Sequence, residues 1–216
     1  MVVDSQAVGI AVLSAPGTLV GAVFDFSVQF ELGRDGVRLV GFVEMENDHR
    51  GLMKELRVQS PFARDAEEEV RRLLNDRSRG ESLSDLYQRF GERAGNQLEG
   101  LGYQGAFGVD ALVARLSDGE LKIRPVVELN PRCTMGRVAL ELSQLAAPGS
   151  CGRLRFFSKR DLGEKGCKDF GELGEKLDEE HPLVWKDVSP RRLASGWVPL
   201  NDPEKAKVSL GAFLVG

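Results

Sequence analysis

Apolar and polar residues alternate from Val23 to Phe30. Phe24, Phe26, Val28 and Phe30 fall on one face, and Asp25, Ser27 and Gln29 on the other. A period of two in a run rich in β-branched and aromatic residues predicts a strand. Asp35-Gly36 predicts a hairpin turn, and Val37 to Val43 a second strand. A charged loop from Glu44 to Arg50 then ends at Gly51.

From Arg64 the period changes. Asp65, Glu67, Glu68 and Glu69 place acids in a first helical turn, where they suit the helix dipole, and Val70, Leu73 and Leu74 follow as an apolar stripe. Ser78 to Gly80 breaks that helix. A longer one is predicted from about Ser82 to Leu101, because Leu83, Leu86, Tyr87, Phe90, Ala94, Leu98 and Leu101 keep the spacing of a core-facing stripe. Gly100 and Gly102 are suitable terminators. Two strands follow, Ala106 to Leu116 and Leu121 to Asn130, joined by Ser117-Asp118-Gly119-Glu120. Met135 to Leu145 reads as a helix closed by Pro148-Gly149.

Beyond residue 150 the pattern weakens. Leu154 to Phe157 and Val208 to Val215 read as strands. The charged, glycine-rich stretch between them carries Trp185 and Trp197 as anchors of a small satellite core. Strands, helices, strands, helix, strands is the order of an α+β fold rather than of alternating βαβ units. The expected division is one lobe over residues 1–150 and a small extension over 151–216.

Composition narrows the function classes. With 216 residues and 42% apolar content the chain can build one domain or two small ones. A net charge of −4 lacks the basic excess of a nucleic-acid binder. No apolar run approaches the ~20 residues of a membrane span, and Met1-Val2-Val3-Asp4 lacks the regions of a signal peptide. Cys133, Cys151 and Cys167 show no CxxC spacing and read as reduced thiols of a cytoplasmic protein. His49 and His181 are far apart in sequence, which argues against a His-centred metal site.

The candidate chemistry lies on the strand from Leu121 to Asn130. Read at a period of two, Lys122, Arg124, Val126, Glu128 and Asn130 share the face opposite the apolar one. Glu128 and Asn130 then project together, their Cα atoms roughly 7 Å apart. Pro125 lacks an N–H, which places the strand at an edge or in a bulge. Asp110 belongs to the facing strand. A two-residue Asp118-Gly119 turn pairs it with Val127, on the apolar side; an odd-length loop or a bulge pairs it with Glu128. The sequence leaves both open. In the second case the Cβ atoms of Asp110 and Glu128 lie about 5 Å apart, within reach of a magnesium ion ligated at ~2.1 Å. Small flanks at Ala106, Gly108 and Ala111 leave room over the strand. The competing reading is a structural ion pair of Asp110, Glu128 and Arg132 beside an Asn130-Pro131 turn. Arg50 belongs to a solvated charged loop or meets phosphate, and Cys133 reads as a packing cysteine.

Gly102-Tyr103-Gln104-Gly105, Gly108-Val109-Asp110-Ala111 and Val127-Glu128-Leu129-Asn130-Pro131-Arg132 together resemble the C-terminal half of ATP-grasp proteins, with a weaker match back to Asp25-Phe26-Ser27-Val28-Gln29. The resemblance implies an ATP-grasp-like C-terminal lobe on a mainly antiparallel sheet with packed helices. It implies ATP and magnesium as cofactors, with Asp110, Glu128 and Asn130 as metal ligands. Arg132 becomes the catalytic and cofactor-binding residue that steadies phosphate or the acyl intermediate. The implied reaction activates a small-molecule carboxylate as an acyl phosphate for attack by an amine or thiol. Family enzymes also carry an upstream lobe with phosphate-binding lysines, a glycine-rich flap and an adenine-contacting hinge. Nothing before Asp25 resembles those parts, and neither Val2-Val3-Asp4 nor Leu19-Val20-Gly21 matches the hinge. The expectation is therefore a lobe completed by a partner chain or by self-association, or else a truncated, non-catalytic remnant acting as a structural or partner-binding module.

Overall fold

The computed structural model describes residues 19–48, 53–78, 80–187 and 189–216. His49, Arg50 and the Val2-Val3-Asp4 segment lie outside the described residues. The chain is α+β and forms two compact units that do not follow chain order: residues 1–44 with 63–138, and 45–62 with 139–216.

In the first unit, β1 (Leu19–Gly33), β2 (Gly36–Asn47), β4 (Gly105–Leu116) and β5 (Leu121–Asn130) hydrogen-bond in the order β5-β4-β1-β2. The β1–β4 and β4–β5 pairs are antiparallel. The expected alternation along β1 is present, but both of its faces are buried from Phe26 to Phe30. The aromatic face packs against α2 (Leu83–Gly100), which starts at Ser82 through a capping box with Asp85. Phe30 stacks on Phe107 with ring centroids 4.9 Å apart, and Phe26 meets Tyr87 edge-on at 6.0 Å.

Two glycines let the helix come this close. A Cβ at Gly91 would sit 2.5 Å from Phe30 Cε1, and one at Gly95 2.1 Å from Val37 Cγ2. The Tyr87 hydroxyl donates to the carbonyl of Pro125 (2.9 Å), and burial pushes its pKa well above the usual tyrosine range. The shorter helix α1 (Glu68–Asn75) starts later than its acids suggest: Arg64, Asp65 and Ala66 precede it in turns and bends, and Glu68 and Glu69 make the first turn.

The second unit holds β3 (Met53–Val58), β6 (Gly152–Ser158), β7 (Val184–Lys186), β8 (Arg192–Pro199) and β9 (Ser209–Val215), in the order β3-β6-β9-β8-β7, with the end of β2 beside β3. Glu44 to Asn47, read from sequence as loop, is the end of β2. Its Glu46 pairs with Arg57 of β3 at 2.9 Å.

Two helices that the sequence pattern hid are α4 (Lys159–Lys165) and α5 (Phe170–Glu180). Phe170, Leu173 and Leu177 do keep helical spacing, but Gly171 and Gly174 break the pattern. Those glycines admit neighbours: a Cβ at Gly174 would lie 3.0 Å from Pro203 Cβ. Of the two tryptophans, Trp197 is an anchor, 3% exposed and donating from Nε1 to Asp178 at 2.8 Å. Trp185 is not. It sits on the short strand β7, 40% exposed, with the Arg191 guanidinium 5.3 Å over its ring. Helix α3 (Met135–Ser143) begins in the first unit and ends in the second.

Replacing Gly91 by Ala forces a methyl into a stacked ring that has no free direction to move. Gly91→Ala is expected to lose about 1–3 kcal/mol in urea-induced unfolding. Asp161 gives a pH-dependent expectation. Burial works to raise its pKa, but the Ser158 hydroxyl and N–H, bonded to Asp161 at 2.6 and 2.8 Å, and the nearby Arg155 outweigh it and hold the carboxyl below the ordinary Asp value. A depressed carboxylate adds stability above its unfolded pKa and loses it as pH falls through the folded one. Relative to Asp161→Asn, the wild type should hold an advantage on the order of 1 kcal/mol above pH ~4. That advantage should shrink steadily on acidification below pH ~4 in paired denaturation curves.

Candidate functional site

The register of β4 against β5 decides whether the acidic residues meet, and it pairs Asp110 with Glu128 and Gly108 with Asn130. Two features set it. The hairpin closes with Leu116 N–H on Glu120 O (2.9 Å), which leaves Ser117-Asp118-Gly119 as an odd-length loop. This parity puts Asp110 on the same face as Glu128. A bulge then shifts the register, because Asp110 to Leu112 on β4 faces Arg124 to Glu128 on β5. Pro125 lies inside that bulge, where the missing N–H costs no ladder bond.

On the other side of β4, Ser27 of β1 faces Asp110 and Gln29 faces Gly108. Three strands thus present two adjacent rows on one face: Ser27, Asp110 and Glu128, then Gln29, Gly108 and Asn130. Gly108 is the gap in the second row. The Gln29 side chain fills it, and a Cβ at Gly108 would lie 3.0 Å from Gln29 Nε2.

The polar side chains are joined by hydrogen bonds. Ser27 Oγ donates to Asp110 Oδ1 at 2.7 Å, and Asn130 Nδ2 donates to Asp110 Oδ2 at 3.0 Å. Arg132 Nη2 donates to Asn130 Oδ1 at 3.2 Å. Gln29 Nε2 donates to Ser27 Oγ at 2.8 Å, and Thr134 Oγ1 donates to Gln29 Oε1 at 2.7 Å. Ser27, Gln29 and Asn130 are buried, at 2%, 1% and 6% exposure, whereas Glu128 and Arg132 are exposed. Nearby, Arg137 pairs with Glu31 at 2.6 Å.

Asp110 has a raised pKa. Partial burial is the main cause and repulsion from Glu128 adds to it, against the lowering effect of Ser27, Asn130 and Arg132. Two carboxylates at facing positions present oxygens that a cation could share. The donor set is hard oxygen: two carboxylates and an amide, which suits magnesium and not a soft metal. Among the described residues no group of three His, Cys, Asp or Glu side chains could hold a metal ion, so any such site depends on the amide as well as the acids.

All four residues singled out from sequence lie together here. Ser27, Gln29 and Thr134 were missed as site residues. The signal for Ser27 and Gln29 was their place at alternate positions of an otherwise aromatic strand. Cys133 is exposed beside Arg132, not packed as expected, and the described cysteines are all free thiols. A cavity of about 330 Å3 in the second unit, lined by Ser143, Ser150 and Arg192 among others, includes none of these residues. No described helix is long and apolar enough to cross a membrane.

No family model matches the chain and no curated relative matches it. Solved structures are similar to it to differing degrees. Pyruvate carboxylase from Rhizobium etli, with the allosteric activator acetyl coenzyme-A, matches with a TM-score of 0.51 at 14% identity, over 96% of this chain and 21% of that one. N5-carboxyaminoimidazole synthetase from Staphylococcus aureus complexed with ADP gives 0.47 at 12% identity, over 91% and 46%. A proposed ATP-grasp superfamily protein from Archaeoglobus fulgidus gives 0.37 at 16%, over 65% and 40%. The chain spans less than half of each of these structures. At these identities the likeness is one of fold, and the fold is an ATP-grasp-like lobe.

Gly136, at the start of α3, provides a check on the buried network. A Cβ there would lie 2.7 Å from Gln29 Nε2. Gly136→Ala should displace the carboxamide and leave buried polar groups unpaired, lowering stability by about 1–3 kcal/mol in denaturant titration.

Proposed function

We propose that the polar face of β1, β4 and β5 is a magnesium–nucleotide site, and that the chain takes part in ATP-dependent activation of a carboxylate. The observation that carries this reading is the pairing of Asp110 with Glu128, with Asn130 next along the same face. Asp110, Glu128 and Asn130 would hold magnesium, which when bound neutralises phosphate charge during transfer. Among the described residues Arg132 makes one hydrogen bond, to Asn130. Its remaining donors are free to take phosphate or acyl oxygens in a bidentate contact.

In the reaction class proposed, a carboxylate oxygen of a small molecule attacks the γ-phosphorus of ATP, ADP leaves, and an acyl phosphate forms. An amine or thiol then attacks the acyl carbon, phosphate departs, and the nucleophile gives up its proton. Arg132 binds the oxygen that gains charge in each step. Contact with a partner chain or a second copy is part of this reading, and Val23, Leu101, Val127 and Met135 of the first unit are exposed apolar residues available to it. The free thiols are in keeping with a cytoplasmic setting. The competing reading is a non-catalytic binding module, in keeping with the absence, among the described residues, of a third carboxylate or histidine beside Asp110 and Glu128.

Thermal unfolding with and without Mg2+·ADP separates the two readings. Ligand that binds the folded state at a hundredfold over its Kd adds about 2.7 kcal/mol. A rise in Tm is therefore expected for the wild type and should vanish in Glu128→Ala. An unchanged Tm at millimolar Mg2+·ADP in the wild type would instead support the module.

A further inference from the structure

We infer that Gln29 and Ser27 are positioning residues of this site, acting through Asp110 without touching nucleotide or metal. The inference rests on the magnesium–nucleotide reading and deepens it.

The hydrogen bonds around Asp110 run with one polarity. At one end, a guanidinium can only donate. Arg132 Nη2 therefore requires the oxygen of the Asn130 amide, at 3.2 Å, and turns its NH2 group towards Asp110 Oδ2 at 3.0 Å. At the other end, the Arg137 N–H in the first turn of α3 is shared between Thr134 O, at 3.1 Å, and Thr134 Oγ1, at 3.3 Å. The Thr134 hydroxyl donates to Gln29 Oε1, at 2.7 Å. The Gln29 NH2 group must then face Ser27 Oγ, at 2.8 Å, and the Ser27 proton turns to Asp110 Oδ1, at 2.7 Å. The alternative acceptor for that proton, Val109 O, is further away at 3.4 Å.

Two chains of donors thus converge on one carboxylate. Asp110 receives a donor on each oxygen and gives none. Each oxygen keeps lone-pair capacity, and both are held in one orientation for a cation arriving from the open side. Nothing else can take over this task. Ser27 and Gln29 are almost wholly buried, so water does not replace a broken link. Two absent side chains define the Gln29 position, since a Cβ at Gly108 or Gly136 would come within 3.0 or 2.7 Å of its Nε2. The carboxamide is packed on both sides, and its two ends are already committed to Ser27 and Thr134.

The test uses the full chain and four variants: Ser27→Ala, Gln29→Met, Thr134→Val and Thr134→Ser. Mn2+ affinity in the presence of ADP is followed by electron paramagnetic resonance, and side-chain amide exchange of Asn130 by NMR without metal or nucleotide. Second-sphere partners of metal ligands typically change affinity by about 10- to 100-fold. Ser27→Ala and Gln29→Met are expected to weaken Mn2+·ADP binding about tenfold or more. Thr134→Val should weaken it in the same direction, and Thr134→Ser should restore it, because it keeps the hydroxyl. In the metal-free chain, Gln29→Met and Thr134→Val should speed exchange of the Asn130 NH2 protons, although neither variant touches Asn130.

A purely structural role would lower Tm in the variants and leave affinity, measured well below melting, within about twofold of wild type; that result overturns the inference. Equal behaviour of Thr134→Val and Thr134→Ser also overturns it. Absence of Mn2+·ADP binding to the wild type is a different failure: it removes the nucleotide reading itself, and a positioning role for that ligand falls with it.

Discussion

Asp110 can stand beside Glu128 only because the hairpin between their strands closes on an odd loop and then slips at Pro125. Side chains alternate across a strand, so a one-residue change in loop length would send Asp110 to the apolar side. The bulge preserves the face and chooses the row. Every feature of the site follows from that registration. The two acids crowd one another, the amide of Asn130 bridges to Asp110, and Arg132 closes the end of the row. A glycine at position 108 leaves the neighbouring row open for a side chain from the next strand.

The site also depends on β1 being buried on two unlike faces. One is aromatic and packs on α2; the other carries Ser27 and Gln29, which have no water to satisfy them. Burial of a polar group costs stability unless its partners are present. Here each partner is supplied by another member of the same network, so the polar groups are satisfied collectively rather than one by one. This couples the strand that carries Asp110, the strand that carries Glu128 and Asn130, and the start of α3 into a single stereochemical unit.

Much of this was legible in the residues. The alternation along β1, the stripe of α2 and both hairpin strands could be read from periodicity, and the acidic, amide and guanidinium positions from spacing. What sequence could not fix was parity, because a three-residue and a two-residue turn draw on the same Asp118-Gly119 chemistry. Nor could it find Gln29 as a site residue, since a polar residue on a strand ordinarily faces solvent. The second unit was read poorly for a different reason. Helix α5 carries glycines where Glu204 and Pro203 press against it, and a glycine-rich charged stretch imitates a loop. Trp185 looked like an anchor because tryptophan usually is one. Its place on a three-residue strand leaves it too little neighbouring surface to be covered.

The Tyr87 hydroxyl ties these layers together in a less obvious way. It reaches from the aromatic side of the sheet to the carbonyl of the proline at which the ladder slips. The hidden core and the polar face of the sheet therefore share a fastening point. Substitutions that repack the aromatic layer are not insulated from the acidic row. Tyr87→Phe would conserve the hydrophobic volume while removing the hydrogen bond to the Pro125 carbonyl. The interior and the exterior are in that sense joined through one phenol.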